Sequence, residues 1–211
     1  MADMKSGICT VIAAGKITDL QWLQNQCQKS DYIICADGGY RYACSAGIKP
    51  DAVIGDFDSG KLPQGENVTV FPVRKDDTDT ALAIAEGIRL GYSRYEVYGA
   101  VSGNRLDHTA ASITLCCKYA MQGISVTLLD EKNEITALLP GEHELENDGR
   151  KLSLFAFGND VEGLCEKGVS YPLEDYTLSA FDSLCVSNEI TDDKAFVSHK
   201  SGVLLVFRSS D

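Results

Sequence analysis

Between residues 7 and 130 the chain alternates two periodicities, and no other feature restricts its fold as strongly. Short apolar runs of strand length are followed by runs whose apolar residues recur three and four apart. "GICTVIAAG", "YIICADGG", "DAVIGDFD", "NVTVFPV", "RYEVYGA" and "ISVTLLD" read as strands. "TDLQWLQNQCQKS" reads as a helix with Thr18 as its N-cap and Leu20, Leu23 and Cys27 on one face. Trp22 on that helix is expected to pack in the core. "YRYACSAGI" reads as a short helix closed by Gly47, "DTDTALAIAEGIRLG" as one stopped by Gly91, and "RLDHTAASITLCCKYAMQG" as a third. Strands alternating with helices predict a mostly parallel sheet covered on both faces.

Near Leu139-Pro140-Gly141 the texture changes. The later segments are short, alternating and broken by turn residues, which predicts a small antiparallel β-sandwich or a barrel-like closure. Asn147-Asp148-Gly149, between two alternating runs, reads as a hairpin turn. The expected division is an α/β domain over 1–139 and a β-sandwich domain over 140–211.

In open parallel sheets, ligands bind beyond the carboxyl ends of the strands. Acidic residues collect at those expected ends. Asp37 precedes Gly38-Gly39, Asp56 and Asp58 follow "AVIG", Asp76, Asp77 and Asp79 follow Lys75, and Asp107 follows Arg105. One such aspartate is ordinarily a helix cap. Four successive strand-to-helix turns carrying carboxylates point instead to a shared ligand. Asp56 and Asp58, one residue apart in extended chain, would project to the same side. Their mutual repulsion calls for a divalent cation, and hard cations take oxygen ligands. Lys75 and Arg105 sit in the same turns, and a glycine loop around Gly99 and Gly103 leads into a helix start, where backbone N–H groups can meet phosphate. Neither a Walker A pattern nor G-x-G-x-x-G occurs, so a nucleotide would bind without a P-loop. Acids for metal and cations for phosphoryl oxygens suit a Mg²⁺–polyphosphate.

A net charge of −12 and the absence of a basic cluster argue against a nucleic-acid partner. No apolar run approaches a membrane span, so no membrane partner is expected. The eight cysteines form no C-x-x-C pair, and the opening residues read as a first strand rather than a signal peptide. Reduced thiols and a cytoplasmic location are the expectation.

These residues carry a family resemblance. "ADGG" at 36–39, "GDFDS" at 55–59, "KDDTD" at 75–79 and "GAVSGNRLDH" at 99–108 resemble, in order and context, the blocks of thiamine pyrophosphokinases. "GVSYPLEDYTL" at 168–178, "VSNEI" at 186–190 and "SGVLLV" at 201–206 resemble the thiamine-binding β-domain of bacterial members. One departure is Asn104, where many members carry a second glycine. The resemblance implies that thiamine's hydroxyl attacks the β-phosphorus of ATP and AMP leaves. It implies metal ligation by Asp56, Asp58 and Asp79, and ATP binding by Asp37, Gly38, Lys75, Thr78, Arg105 and Asp107, with Asp76 supporting the acidic cluster. Asp56, Asp58, Asp76, Asp79 and Asp107 are thereby the candidate catalytic residues. Ser187 and Asn188 would meet the aminopyrimidine of thiamine, and Tyr171 or Tyr176 could stack on its thiazolium. His108 reads as a structural hydrogen-bonding residue. A homodimer with thiamine between the β-domain of one chain and the nucleotide domain of the other is also implied.

Two other readings use the same acids. A metal-dependent phosphohydrolase would use water in place of an acceptor alcohol, and a sensor module would bind without turnover. A second domain argues against the first, because a second substrate needs its own walls. Crowded like charges argue against the second.

Overall fold

The computed structural model describes residues 5–55, 68–70, 77–101, 103 and 105–210. Its contacts divide the chain into two units, one formed by 1–116 with 123–131 and the other by 117–122 with 132–211.

The first unit runs β1 (Lys5–Ile12), α1 (Leu20–Cys27), β2 (Tyr32–Ala36), α2 (Gly39–Ser45), β3 (Ala52–Gly55), β4 (Val68–Val70), α3 (Asp79–Arg89), β5 (Tyr92–Tyr98), α4 (Leu106–Ala120) and β6 (Ser125–Leu129). The strands lie in the order β4-β3-β2-β1-β5-β6, and every neighbouring pair is parallel. β1 is central. Its residues Cys9, Thr10, Val11 and Ile12 are fully buried, as a strand covered on both faces requires. Thr10 keeps its hydroxyl satisfied against Ser30 Oγ at 2.6 Å. Leu23 and Cys27 bring the inner face of α1 onto Ile12, Cys35 and Val53. Trp22 meets Tyr98 edge-on at 5.3 Å between ring centroids, which bears out its expected packing role.

The α1 cap differs from the sequence expectation. Asp19, not Thr18, is the N-cap, and its Oδ1 accepts from Trp22 N at 2.8 Å. Thr18 instead donates its backbone N–H and its hydroxyl to Glu131 Oε1, at 2.6 and 2.8 Å. A carboxylate distant in sequence captures the hydroxyl residue and leaves the cap to its neighbour. Gly47 and Gly91 do end their helices, at φ +67° and +94°.

The second unit is antiparallel throughout. It comprises β7 (Asn133–Leu138), β8 (Gly141–Glu146), β9 (Lys151–Phe157), β10 (Val161–Lys167), β11 (Leu173–Leu178), β12 (Lys194–His199) and β13 (Val203–Ser209). β7, β13 and β9 pair in that order, and a second sheet runs β11-β10-β12-β8. Leu152, Leu154 and Val206 of the first layer share one core with Leu164, Leu178 and Val197 of the second. This is the sandwich the alternating pattern predicts.

Asn147-Asp148-Gly149 does not close a hairpin. β8 pairs with β12, whereas β9 pairs with β13, so this turn carries the chain from one sheet to the other. The turn chemistry itself is as read: Gly149 has φ +81° and donates to Asn147 Oδ1. Asn147 Nδ2 also donates to the carbonyls of Ile190 and Asp192, which anchors the crossover. Among the described residues, no helix is long and apolar enough to cross a membrane.

Candidate active site

In the first unit the direction of strand addition reverses at β1, with β2 on one side and β5 on the other. The crevice beyond the carboxyl ends at such a reversal is where an open α/β sheet binds its ligand. The chain approaches itself closely there. Ala13 N donates to Tyr98 O and Gly15 N to Gly99 O, each at 2.8 Å. Gly99 has φ +70°, and a Cβ on it would stand 2.7 Å from Ala13 O. On the other side, a Cβ on Gly39 would stand 1.9 Å from Ile12 O. Backbone contact on both sides leaves a cavity of about 590 Å³. Lys16, Asp37, Thr78, Asp79, Arg105 and His108 are among its polar lining.

Each of these side chains is placed by a local device. Asp37 adopts a left-handed backbone at φ +44° where β2 turns into α2, and its N–H donates to Ile54 O at 2.7 Å. Gly38 caps α2 through its backbone and packs beside Ala14 rather than lining the cavity. Thr78 is the N-cap of α3 and its Oγ1 accepts from Ala81 N at 3.2 Å, so Asp79 stands in the first turn, where the helix dipole favours an anion. Arg105 and Asp107 form a two-point fork, Nε to Oδ1 at 2.8 Å and Nη2 to Oδ2 at 2.6 Å. That fork holds the Asp107 carboxyl down to about 2. Asp107 does not line the cavity, so its observed work is to orient the guanidinium. A guanidinium has five N–H donors, and the fork leaves part of them for a ligand.

Asp56, Asp58, Lys75 and Asp76 lie outside the described residues, as does Asn104. β3 ends at Gly55 against Asp37: a Cβ on Gly55 would lie 3.0 Å from Asp37 Cα. Among the described residues, no group of three or more His, Cys, Asp or Glu gathers into a metal cluster. Sequence reasoning missed Lys16, Tyr42, Thr109 and Ser112, which line the same cavity. Lys16 carried a usable signal, since it follows "AAG" at the exit of the first strand. The one carboxylate of that turn, Asp19, caps α1. His108 was read as structural, yet it lines the cavity as well.

In the second unit, a cavity of about 310 Å³ is lined by Glu166, Tyr171, Leu184, Cys185, Val186 and Asn188, with Pro172 and Leu173. Asn188 is buried, and its Oδ1 accepts from Tyr171 N and Glu189 N while Nδ2 donates to Tyr171 O. Its backbone bridges Leu152 in both directions. Ser187 turns through φ +62°, its N–H bonded to Ser153 Oγ, and is not among the lining residues. Tyr171 is largely exposed at the cavity, whereas Tyr176 packs toward the core with its hydroxyl on Asp182. Glu166, which sequence reading did not single out, is 1% exposed, and its Oε1 has no hydrogen-bond partner.

Comparisons with known proteins agree across both units. Residues 23–128 match the family described as thiamin pyrophosphokinase, catalytic domain, and residues 142–204 match thiamin pyrophosphokinase, vitamin B1 binding domain. A thiamine pyrophosphokinase of Bacillus subtilis is 30% identical over 187 residues, covering 84% of this chain and 87% of its own. The crystal structure of a thiamine pyrophosphokinase from Bacillus subtilis superposes with TM-score 0.85 at 28% identity, covering 97% of this chain and 99% of that one. That of a thiamin pyrophosphokinase from Geobacillus thermodenitrificans gives 0.83 at 26% identity, covering 97% and 98%.

Proposed function

The chain belongs to the thiamine pyrophosphokinase family, ATP-dependent transferases that make thiamine diphosphate, and on that premise we propose that the crevice beyond β1 and β5 binds ATP while the second unit binds thiamine. The observation that carries the nucleotide half is the convergence of Lys16, Asp37, Asp79 and Arg105 on one cavity at the reversal of the sheet. Lys16 and Arg105 supply cations for phosphoryl oxygens, and Asp107 fixes the plane of the guanidinium. Lys75 and Thr78 complete the nucleotide contacts on this reading.

Mg²⁺ fits the donor set, because Asp37 and Asp79 line the cavity and carboxylate oxygens suit a hard cation. Asp56, Asp58 and Asp79 would hold it, with Asp76 supporting the cluster. When bound, the ion supplies positive charge to the transferring pyrophosphoryl group. The chain's own part is positioning: it aligns the β-phosphorus with the acceptor hydroxyl, holds the polyphosphate and keeps water from competing. The hydroxyl oxygen gives up its proton to solvent and bonds to the β-phosphorus, the bond from that phosphorus to the α-phosphate oxygen breaks, and AMP leaves with that oxygen.

For the acceptor, the support is the mostly apolar cavity with Tyr171 exposed beside it. Its exposed Leu184 and Val186 support a homodimer in which a second copy completes the thiamine site. All eight cysteines are unbridged, which supports a reducing, cytoplasmic setting.

Incubation with ATP and Mg²⁺, with and without thiamine, tests the reading. AMP and thiamine diphosphate are expected only when thiamine is present. Phosphate release without thiamine would favour the phosphohydrolase instead.

A further inference from the structure

Among the described residues, Glu166, His199 and Arg208 have buried side-chain atoms with no hydrogen-bond partner, and of these Glu166 lines a cavity of the second unit. It sits on β10, 1% exposed, and its Oε1 has no partner. A buried, unpaired acceptor costs free energy and calls for a donor that the folded chain does not provide. Two cavities meet at this residue. The one of about 310 Å³ already described shares Glu166, Pro172 and Leu173 with a larger one of about 790 Å³. The smaller is walled by Tyr171, Leu184 and Val186 and has few polar groups, which suits a flat heteroaromatic ring with one polar edge. Asn188, the obvious polar candidate, has both acceptor positions of its Oδ1 filled and so has no acceptor to spare. Among the described residues, Glu166 is therefore the buried acceptor of that wall with an unpartnered oxygen.

We propose that Glu166 is a specificity-determining residue of the acceptor site, its unpaired Oε1 accepting a hydrogen bond from an N–H group on an amino-substituted heteroaromatic ring. This deepens, and rests on, the placement of thiamine in the second unit. The ring edge of thiamine that fits is its aminopyrimidine, which carries an exocyclic amine. Ser187 and Asn188 then act as positioning residues: they shape the turn, and Asn188 fixes the carboxylate that faces the ligand. Burial pushes the Glu166 carboxyl up to about 7, opposed by the Asn188 bond, so a ligand N–H would also favour its ionised form.

The test uses the full chain with ATP as donor and two acceptors: thiamine, and its analogue with a ring carbonyl in place of the exocyclic amine. kcat and KM for both acceptors are measured in wild type, Glu166→Gln, Glu166→Leu and Val186→Trp, together with melting temperatures. Wild type is expected to prefer the amine by about tenfold or more in kcat/KM, as a hydrogen bond to a charged acceptor gives. The preference should shrink in Glu166→Gln and fall to within about threefold in Glu166→Leu. Should the leucine variant fail to fold, the glutamine variant still decides. An unaltered preference in the folded Glu166 variants would overturn the role of Glu166. Val186→Trp fills the cavity from its exposed rim, and should raise the acceptor KM while leaving the KM for ATP alone. An unchanged acceptor KM in that variant would remove thiamine from this unit, and Glu166 with it. A raised KM there, with preference unaltered in the Glu166 variants, would overturn Glu166 alone.

Discussion

Arg105 and Asp107, two positions apart at the start of α4, hold each other in a planar fork with bonds of 2.8 and 2.6 Å, although both side chains are largely exposed. An exposed pair of this kind contributes little to stability. Its value lies in presenting a guanidinium in a fixed plane. Arg105→Ala should raise the KM for ATP by about tenfold or more, since a charge-assisted contact is lost, with the melting temperature unchanged. Asp107→Asn keeps one acceptor and should give a smaller rise. A wild-type KM for ATP in Arg105→Ala would remove this residue from the nucleotide site.

Lys16 lies ahead of the stretch that matches the catalytic-domain family, yet it lines the same cavity as Arg105. Lys16→Met preserves the aliphatic stem and removes the charge. The expected result is a higher KM for ATP that depends less on ionic strength than in wild type, with the KM for thiamine unchanged. Equal salt dependence in wild type and variant would contradict a phosphate contact.

Metal dependence gives a third check. Asp79→Asn, Asp56→Asn and Asp58→Asn each keep size and remove a charge that a hard cation needs. Each should demand more Mg²⁺ for half-maximal turnover, and circular dichroism should be unaltered. Titration curves that superpose on wild type would exclude the substituted residue as a ligand.

Glu166 makes stability fall with pH. Its carboxyl lies at about 7 in the folded chain against 4.5 as its ordinary value, with burial the cause. Between those values the folded state retains a proton that the unfolded state has released, so stability drops as pH rises through the window and levels off above 7. The shift corresponds to roughly 3 kcal/mol as an upper figure. Glu166→Gln should abolish that slope, gaining on wild type from pH 5 to pH 8 in urea midpoints. Parallel stability profiles for the two proteins would refute it.

Asn188→Ala should cost about 0.5–1.5 kcal/mol, because the backbone N–H and carbonyl of Tyr171 lose their partners in a part-buried place. Chemical denaturation measures it. An unchanged midpoint would mean that water replaces the carboxamide without loss.

Much of the fold was legible because its signals are local. Period-two and period-3.6 patterns mark strands and helices wherever they occur, and Gly47 and Gly91 stop their helices by their own conformational freedom. The carboxylates at successive turns were legible for the same reason: where a strand ends is a local fact, and a parallel sheet gathers those ends at one edge. Asp37, Asp79 and Arg105 do share a cavity.

What the sequence could not decide are matters of which distant group arrives. Glu131 takes Thr18, and so Asp19 caps α1. The Asn147-Asp148-Gly149 turn was recognisable as a turn, but only the pairing of β8 with β12 and β9 with β13 decided that it crosses between sheets. Asn188 stood out in the sequence as a polar residue, but only the fold brings Tyr171 and Glu189 onto its carboxamide. Glu166 looked like any charge on an alternating strand, and only the closure of two sheets over one core buried it with an oxygen unpaired. Conformational preference is written residue by residue, whereas burial and partnership are set by contacts between segments far apart in the chain, which exist only once the sheets have formed.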